Sequence, residues 1–246
     1  MYAVLTVVRY PSRFIYFAIC AMALFRIPLY RNKNIHFHKL MGCGKKGSFD
    51  IHPDWNQWAI MVFTKSLPEI QNSKENIHQI HTSHYGTFIT NWWKRFDCET
   101  WTVVLELMEG HGSWDGEKLT PVNKNKNLGE GPVAVLTRAT IRLSKLREFW
   151  KNAGPVSAQL KNASGLITSI GIGELPLIRQ ATFSIWESLD EMKAFAYSMQ
   201  EHRDVIKKTR AENWYSEDMF LRFKPLYSEG TLNGKNPFPM NYPGKS

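Results

Sequence analysis

Near the start of the chain the run Ala3-Val4-Leu5-Thr6-Val7-Val8-Arg9 is apolar and rich in β-branched residues, the pattern of a buried strand. It returns as Ala134-Val135-Leu136-Thr137-Arg138-Ala139-Thr140, displaced by 134 − 3 = 131 residues. A helical stretch follows each run, over residues 12–29 and 144–161, with Ser144 placed to cap the second. Strands at 35–44 and 166–173 come next, each ending in Gly-x-Gly, at Gly42 and Gly44 and at Gly171 and Gly173. Third strands at 57–64 and 179–186 lead into Ser66-Leu67-Pro68-Glu69 and Ser188-Leu189-Asp190-Glu191, which read as capped helix starts. Final strands at 101–108 and 219–227 close on Glu109-Gly110 and Glu229-Gly230, an offset of 230 − 110 = 120.

Each half therefore reads strand, helix, strand, strand, helix, strand, the ferredoxin-like order. The fold class is α+β: two tandem βαββαβ repeats whose antiparallel sheets pack as a dimeric-type α/β barrel within one chain. Residues 1–114 form the first repeat and 131–230 the second, joined by a linker at 115–130 rich in Asn, Lys and Gly. Residues 231–246, with Pro237, Pro239 and Pro243, are expected to be an extended tail.

With 246 residues and 43% hydrophobic content the chain can bury a core in each half. Cys20, Cys43 and Cys98 form no CxxC pair, so neither a thiolate metal site nor a disulfide framework is indicated, and a cytoplasmic setting suits them. The apolar run at 14–25 is too short to span a bilayer, which takes about 20 helical residues, but it suits a peripheral contact with a membrane surface. Net charge of +9 raises nucleic acid and anionic lipid as partners. The cations are scattered, concentrating only at Lys118, Lys124 and Lys126, and no nucleic-acid motif frames them, so lipid is the better match.

Candidate chemistry is sparse. Gly42-Cys43-Gly44-Lys45-Lys46-Gly47 matches GxGxxG, yet a strand rather than the required helix follows, which argues against a dinucleotide site. His78, His81 and His84 spread over about 120° of a helix, a set chemically sufficient for zinc or non-haem iron, but no nearby carboxylate completes a facial triad and an exposed histidine-bearing helix is the common alternative. His36 and His38 share one face of a strand. His202 lies between Phe195 and Trp214 in an apolar, aromatic region and is a candidate axial ligand for haem, with His81 as its first-half counterpart at an offset of 121. No GxSxG elbow or paired-carboxylate signature supports hydrolysis. Aromatic residues at 13% favour a large apolar pocket and a hydrophobic ligand.

The second half resembles the spheroidene monooxygenase family through Gly131-Pro132-Val133-Ala134-Val135-Leu136-Thr137-Arg138-Ala139-Thr140-Ile141, Ile170-Gly171-Ile172-Gly173-Glu174-Leu175-Pro176 and Gln180-Ala181-Thr182-Phe183-Ser184-Ile185-Trp186. The likeness continues through Met192, His202, Trp214 and Arg222-Phe223; the first half is similar more loosely, through Lys39-Leu40, Gly42, Gly44 and Trp101-Thr102-Val103. The resemblance implies a dimeric α/β-barrel fold and a haem enzyme that uses molecular oxygen to place a keto group on an acyclic carotenoid. It implies His202 as the iron ligand; Arg138, in the matched run, suits either a haem propionate, which a guanidinium binds in two-pronged fashion, or the surface of a strand. It also implies an electron donor, a ferredoxin or a reductase, and leaves homo-oligomerisation open. His38, and the helix bearing His78, His81 and His84, depart from the family pattern. A dehydratase or peroxidase-like haem enzyme, a non-catalytic haem or lipid carrier and a non-haem metal oxygenase remain as alternatives.

Overall fold

The computed structural model describes residues 1–45, 52–66, 76–121, 130–198, 209 and 211–240. The strands are hydrogen-bonded in two four-stranded sheets, in the order β4-β1-β3-β2 and β6-β7-β5-β8. The first four are β1 (Tyr2–Arg9), β2 (Phe37–Gly44), β3 (Pro53–Thr64) and β4 (Glu99–Gly112). Their helices are α1 (Ile15–Leu24), α2 (Arg26–Arg31) and α3 (Asn76–Arg95). The second four are β5 (Val133–Ile141), β6 (Leu166–Leu175), β7 (Arg179–Trp186) and β8 (Tyr215–Gly230), with α4 (Leu146–Lys161) and α5 (Leu189–Ser198). The chain divides into two compact units, one of Met1–Gly42, Asp54–Glu106 and Pro225–Ser246, the other of Cys43–Pro53 and Leu107–Lys224.

In the first unit β1 is paired antiparallel on both edges, Ala3 facing Phe63 of β3 and Leu105 of β4. β5 is paired in the same way in the second, Ala134 facing Ile185 of β7 and Phe223 of β8. The apolar runs that mark β1 and β5 in the sequence belong to strands with a neighbour on each edge, which explains their near-continuous hydrophobicity. β2 ends at Gly44 and the next described element is β3, so the GxGxxG match opens no described helix.

Alternation along the strands sorts their side chains. Val4 and Val8 of β1, Ile60 and Val62 of β3 and Val104 of β4 pack against Ala18, Ala21, Phe25 and Leu29 of the first two helices and Tyr85, Ile89 and Trp93 of α3. In the second unit Val133 and Val135 pack with Trp186 against Met192 and Phe195 of α5. The residues between them, Ala134, Leu136 and Arg138, lie on the opposite face and are buried too.

Helix ends differ in detail from the sequence expectation. Ser188 caps α5 as anticipated, its Oγ accepting the Glu191 N–H at 3.2 Å. Ser144 instead lies within the short 3-10 turn Leu143–Lys145, and α4 begins after Lys145 with no side-chain cap. Leu67, Pro68 and Glu69 lie outside the described residues. α3 is broken at Gly86, whose φ of 84° and ψ of 162° are non-helical.

The last strands of the two halves end in one repeated turn. Gly112, at φ +82°, and Gly230, at φ +96°, both take a conformation that only glycine adopts freely, and a Cβ would lie 2.1 Å from the Asp218 carbonyl oxygen in one case and 2.0 Å from that of Thr100 in the other. In Gly112-Ser113-Trp114-Asp115-Gly116 the Glu217 carboxylate accepts from Ser113 Oγ at 2.8 Å and from the backbone N–H of Asp115 at 3.1 Å and Gly116 at 2.9 Å. In Gly230-Thr231-Leu232-Asn233-Gly234 the Glu99 carboxylate accepts from Thr231 Oγ and from the N–H of Asn233 and Gly234, each at 2.7 Å. Every member is displaced by 230 − 112 = 118 residues, so the turns match Gly112 with Gly230. The expected match of Gly110 with Gly230 is two residues out of step. Residues 231–240 carry this turn and a bridge from Met240 to Ser228.

Candidate functional site

On the helix-facing side of the first sheet the polar position Thr6 is buried and fully partnered. Its Oγ1 lies 2.8 Å from the Tyr85 hydroxyl and 2.8 Å from Thr102 Oγ1. His81 Nε2 reaches the same Thr102 hydroxyl at 2.7 Å. The His81 ring is edge-on to Trp93, with centroids 5.0 Å apart. Burial, aided by His78 and His84, pushes the His81 pKa down to about 3, so the imidazole is neutral. The row Ile60, Thr6, Thr102 is thus roofed by His81 and Tyr85 and leaves no room for a ligand.

The corresponding row of the second sheet is Thr182, Thr137, Phe220, set by the β5–β7 and β5–β8 registers. Thr137 shares the face of Val133 and Val135, which α5 covers, yet it is exposed; Thr182 and Phe220 are half-buried. Apolar walls flank this opening. Phe195 of α5 lies 5.2 Å from Trp186 between ring centroids, and Phe220 packs into the same cluster. Arg222 shares the face: it sits opposite Val135, its guanidinium 5.5 Å above the Phe220 ring. Arg222 pairs with Glu109, while its buried Nε has no hydrogen-bond partner among the described residues.

The residues singled out in the sequence fall in different places. His202 lies outside the described residues, in the span between Ser198 of α5 and the buried Thr209. Arg138 is described and is neither a surface strand residue nor a cation on the open face. Its side chain is only 1% exposed and faces away from Thr137, toward Glu217, with Glu174 at 3.5 Å and Asp115 at 3.7 Å. Arg179 completes the cluster, 3.1 Å from Asp115 and 3.6 Å from Glu174. Three carboxylates against two guanidinium groups leave excess negative charge, so Arg138 does not fit a propionate partner; it anchors the Gly112 turn instead. Burial opposes ionisation of Glu217, but the Gly116 N–H, Ser113, Arg138 and the Asp115 N–H outweigh it and lower its pKa to about 2.

The histidine series on α3 does not converge. His78 is exposed, His81 bonds to Thr102, and His84 Nδ1 sits 3.0 Å from the Ile80 carbonyl and 3.0 Å from Ser83 Oγ. No group of three or more His, Cys, Asp or Glu among the described residues could hold a metal ion. Sequence reading passed over Thr137, Phe220 and Arg222 as site residues. The first and last stand inside the quoted family runs, but only pairing register reveals that they share a face with the opening.

No protein-family model matches the chain. Spheroidene monooxygenase of Rhodobacter capsulatus is 32% identical over 220 residues, 89% of this chain and 87% of that protein. Spheroidene monooxygenase of Rubrivivax gelatinosus is 33% identical over 204 residues, 81% of this chain and 72% of that protein. With the enzyme of the same name from Cereibacter sphaeroides identity is 32%, and the chain covers 59% of its length. Among solved structures, an aldoxime dehydratase covers 91% of this chain and 80% of its own at a TM-score of 0.55 and 10% identity, a likeness of fold alone. An aldoxime dehydratase bound to butyraldoxime matches at a TM-score of 0.54 and 11% identity, over 91% of this chain and 79% of its own.

Proposed function

From the premise that the chain belongs to the spheroidene monooxygenase family and is a monooxygenase, we propose that it inserts oxygen into a long apolar substrate of the carotenoid kind, using a haem held by His202. The observation that carries this reading is the exposed Thr137, between the half-buried Thr182 and Phe220, on the α5-facing side of the second sheet. A flat apolar group suits a face whose flanks are Phe195, Trp186 and Phe220, because these rings bury hydrocarbon while Thr137 offers one hydroxyl. Arg222 rather than Arg138 lies on that face as a cation for an acidic edge of the group.

Haem, when bound, supplies oxygen activation, for which electrons come from a ferredoxin or reductase. The chain's own residues exclude water and orient the substrate. Phe195 and Phe220 form the apolar walls, and the filled first-half row keeps the matching position of that sheet dry. The fold reading that goes with this function is a pair of ferredoxin-like repeats, residues 1–114 and 131–230 with a linker and a tail, in a cytoplasmic protein. It is supported by the recurrence of the β1 pairings in β5 and of the Gly112 turn at Gly230.

The test is an absorption spectrum of the purified protein, expressed with haem supply, beside His202→Ala, with iron quantified in both. A Soret band in the wild type that is lost or shifted in the variant is expected. A wild type with neither iron nor a Soret band overturns the haem reading. Product analysis with an acyclic carotenoid then checks the substrate.

A further inference from the structure

A helix packed on a sheet ordinarily turns a polar face to solvent. Residues Ser12–Arg31 do not: they form a stretch long and apolar enough by length and composition to cross a membrane, yet mostly exposed. One face buries Ala18, Ala21, Phe25 and Leu29 against the sheet and α3. The outer face carries Tyr16, Phe17, Ile19, Leu24, Ile27 and Tyr30, of which Tyr16 is 82% and Tyr30 86% exposed. Phe88 of α3 extends the patch, its ring 6.2 Å from that of Phe25.

The charge on this part of the chain has one sign. Arg13, Arg26 and Arg31 are exposed on the same helical segment. From Met1 to Phe49 the chain holds eight Lys and Arg and no Asp or Glu. A second copy docked on this face would bring the arginines of both copies together, and residues 1–49 offer no carboxylate to set between them. A lipid surface supplies both what the tyrosines and aliphatic groups need and what the arginines need: acyl chains beneath a layer of anionic phosphates.

We propose that α1 and α2 lie flat in the interface of an anionic membrane, with the apolar outer face in the headgroup and acyl boundary. Flat rather than spanning follows from the break between Leu24 and Arg26, the arginine inside the segment, and the face already committed to the protein core. Tyr16 and Tyr30, near the two ends, sit at the level where amphipathic rings favour the membrane interface. The inference stands apart from the haem reading, since it needs only helix, charge and exposure.

The test is co-sedimentation of the full chain with vesicles of phosphatidylcholine alone and with phosphatidylglycerol added. Binding to the anionic vesicles only, weakened by salt, is expected. Arg13→Gln, Arg26→Gln and Arg31→Gln combined should lower the partition constant on the order of a hundredfold, and Ile19→Glu with Ile27→Glu by a similar factor, with unchanged thermal midpoints because these side chains are exposed. Wild type that ignores anionic vesicles, or variants that bind as wild type does, would overturn the proposal. So would a concentration-dependent dimer abolished by Ile27→Glu without vesicle binding, which assigns the face to a second copy. Resistance to carbonate extraction would replace a flat helix with a crossing one.

Discussion

The two sheets of this protein carry the same three-residue row and use it in opposite ways. In the first, Ile60, Thr6 and Thr102 are buried beneath His81 and Tyr85, and every described hydroxyl there has a partner. In the second, Thr182, Thr137 and Phe220 lie at the matching register with no such roof among the described residues, and Thr137 is exposed. A satisfied polar island in an apolar core rigidifies; an uncovered threonine flanked by aromatic rings receives something. On the function proposed above, the difference separates a structural half from the half that holds the site, although both strands carry the same Ala-Val-Leu-Thr.

The largest expected effect tests the roof. Tyr85→Ala removes a fully buried ring and its hydroxyl bond and should cost about 4 kcal/mol in urea unfolding, whereas Phe220→Ala, half-buried at the open row, should cost about 1 kcal/mol. Equal costs would mean that the second row is packed as tightly as the first.

The repeated turns give a second contrast. Glu217→Gln leaves the buried Arg138 with less compensating charge and should destabilise by about 2 kcal/mol; Glu99→Gln, which loses hydrogen bonds to Thr231, Asn233 and Gly234 but faces no such buried guanidinium, by about 1 kcal/mol. If the two substitutions prove equivalent, the Arg138 cluster contributes nothing beyond the turn itself.

Filling the opening addresses function more directly. Thr137→Phe should lower turnover on the order of tenfold or more while leaving the thermal midpoint in place, because it occupies space rather than displacing core. Thr6→Phe, in the filled row, should prevent folding instead. Full activity in Thr137→Phe would remove this row from the site.

A further contrast is in acid. His81 titrates near 6.5 when unfolded and near 3 when folded, so below pH 6.5 the unfolded chain binds a proton that the folded one refuses. Stability from this histidine is present above pH 6.5 and lost as pH falls toward 3, and His81→Gln should flatten that part of a thermal-midpoint profile. Glu217 adds a loss in a lower window, as pH falls from 4.5 toward 2, and Glu217→Gln should remove that part alone.

Much of the fold was legible before any coordinates. The β-branched runs, the Gly-x-Gly pairs and Ser188 before Asp190 and Glu191 placed strands and a helix start within a few residues of where they lie. The boundaries fell short at β4 and β8, which run on through residues 109–112 and 228–230, because strand length there depends on pairing partners rather than on local propensity. Ser144 failed as a cap because the chain tightens into a 3-10 turn before α4. The repeat at the turns was visible but read two residues out of step, since Glu109-Gly110 imitates Glu229-Gly230 while the φ-positive glycine is Gly112.

By itself the sequence determined the element order, the membership of a monooxygenase family and the one-signed charge of the first 49 residues, because these are properties of local pattern and of residue identity. Which threonine is roofed and which is open, and that Arg138 turns from the open face to three carboxylates while Arg222 stays on it, was decided only in the tertiary structure. One residue of register moves a side chain to the other face of a sheet, and register is fixed by partners more than forty positions away along the chain.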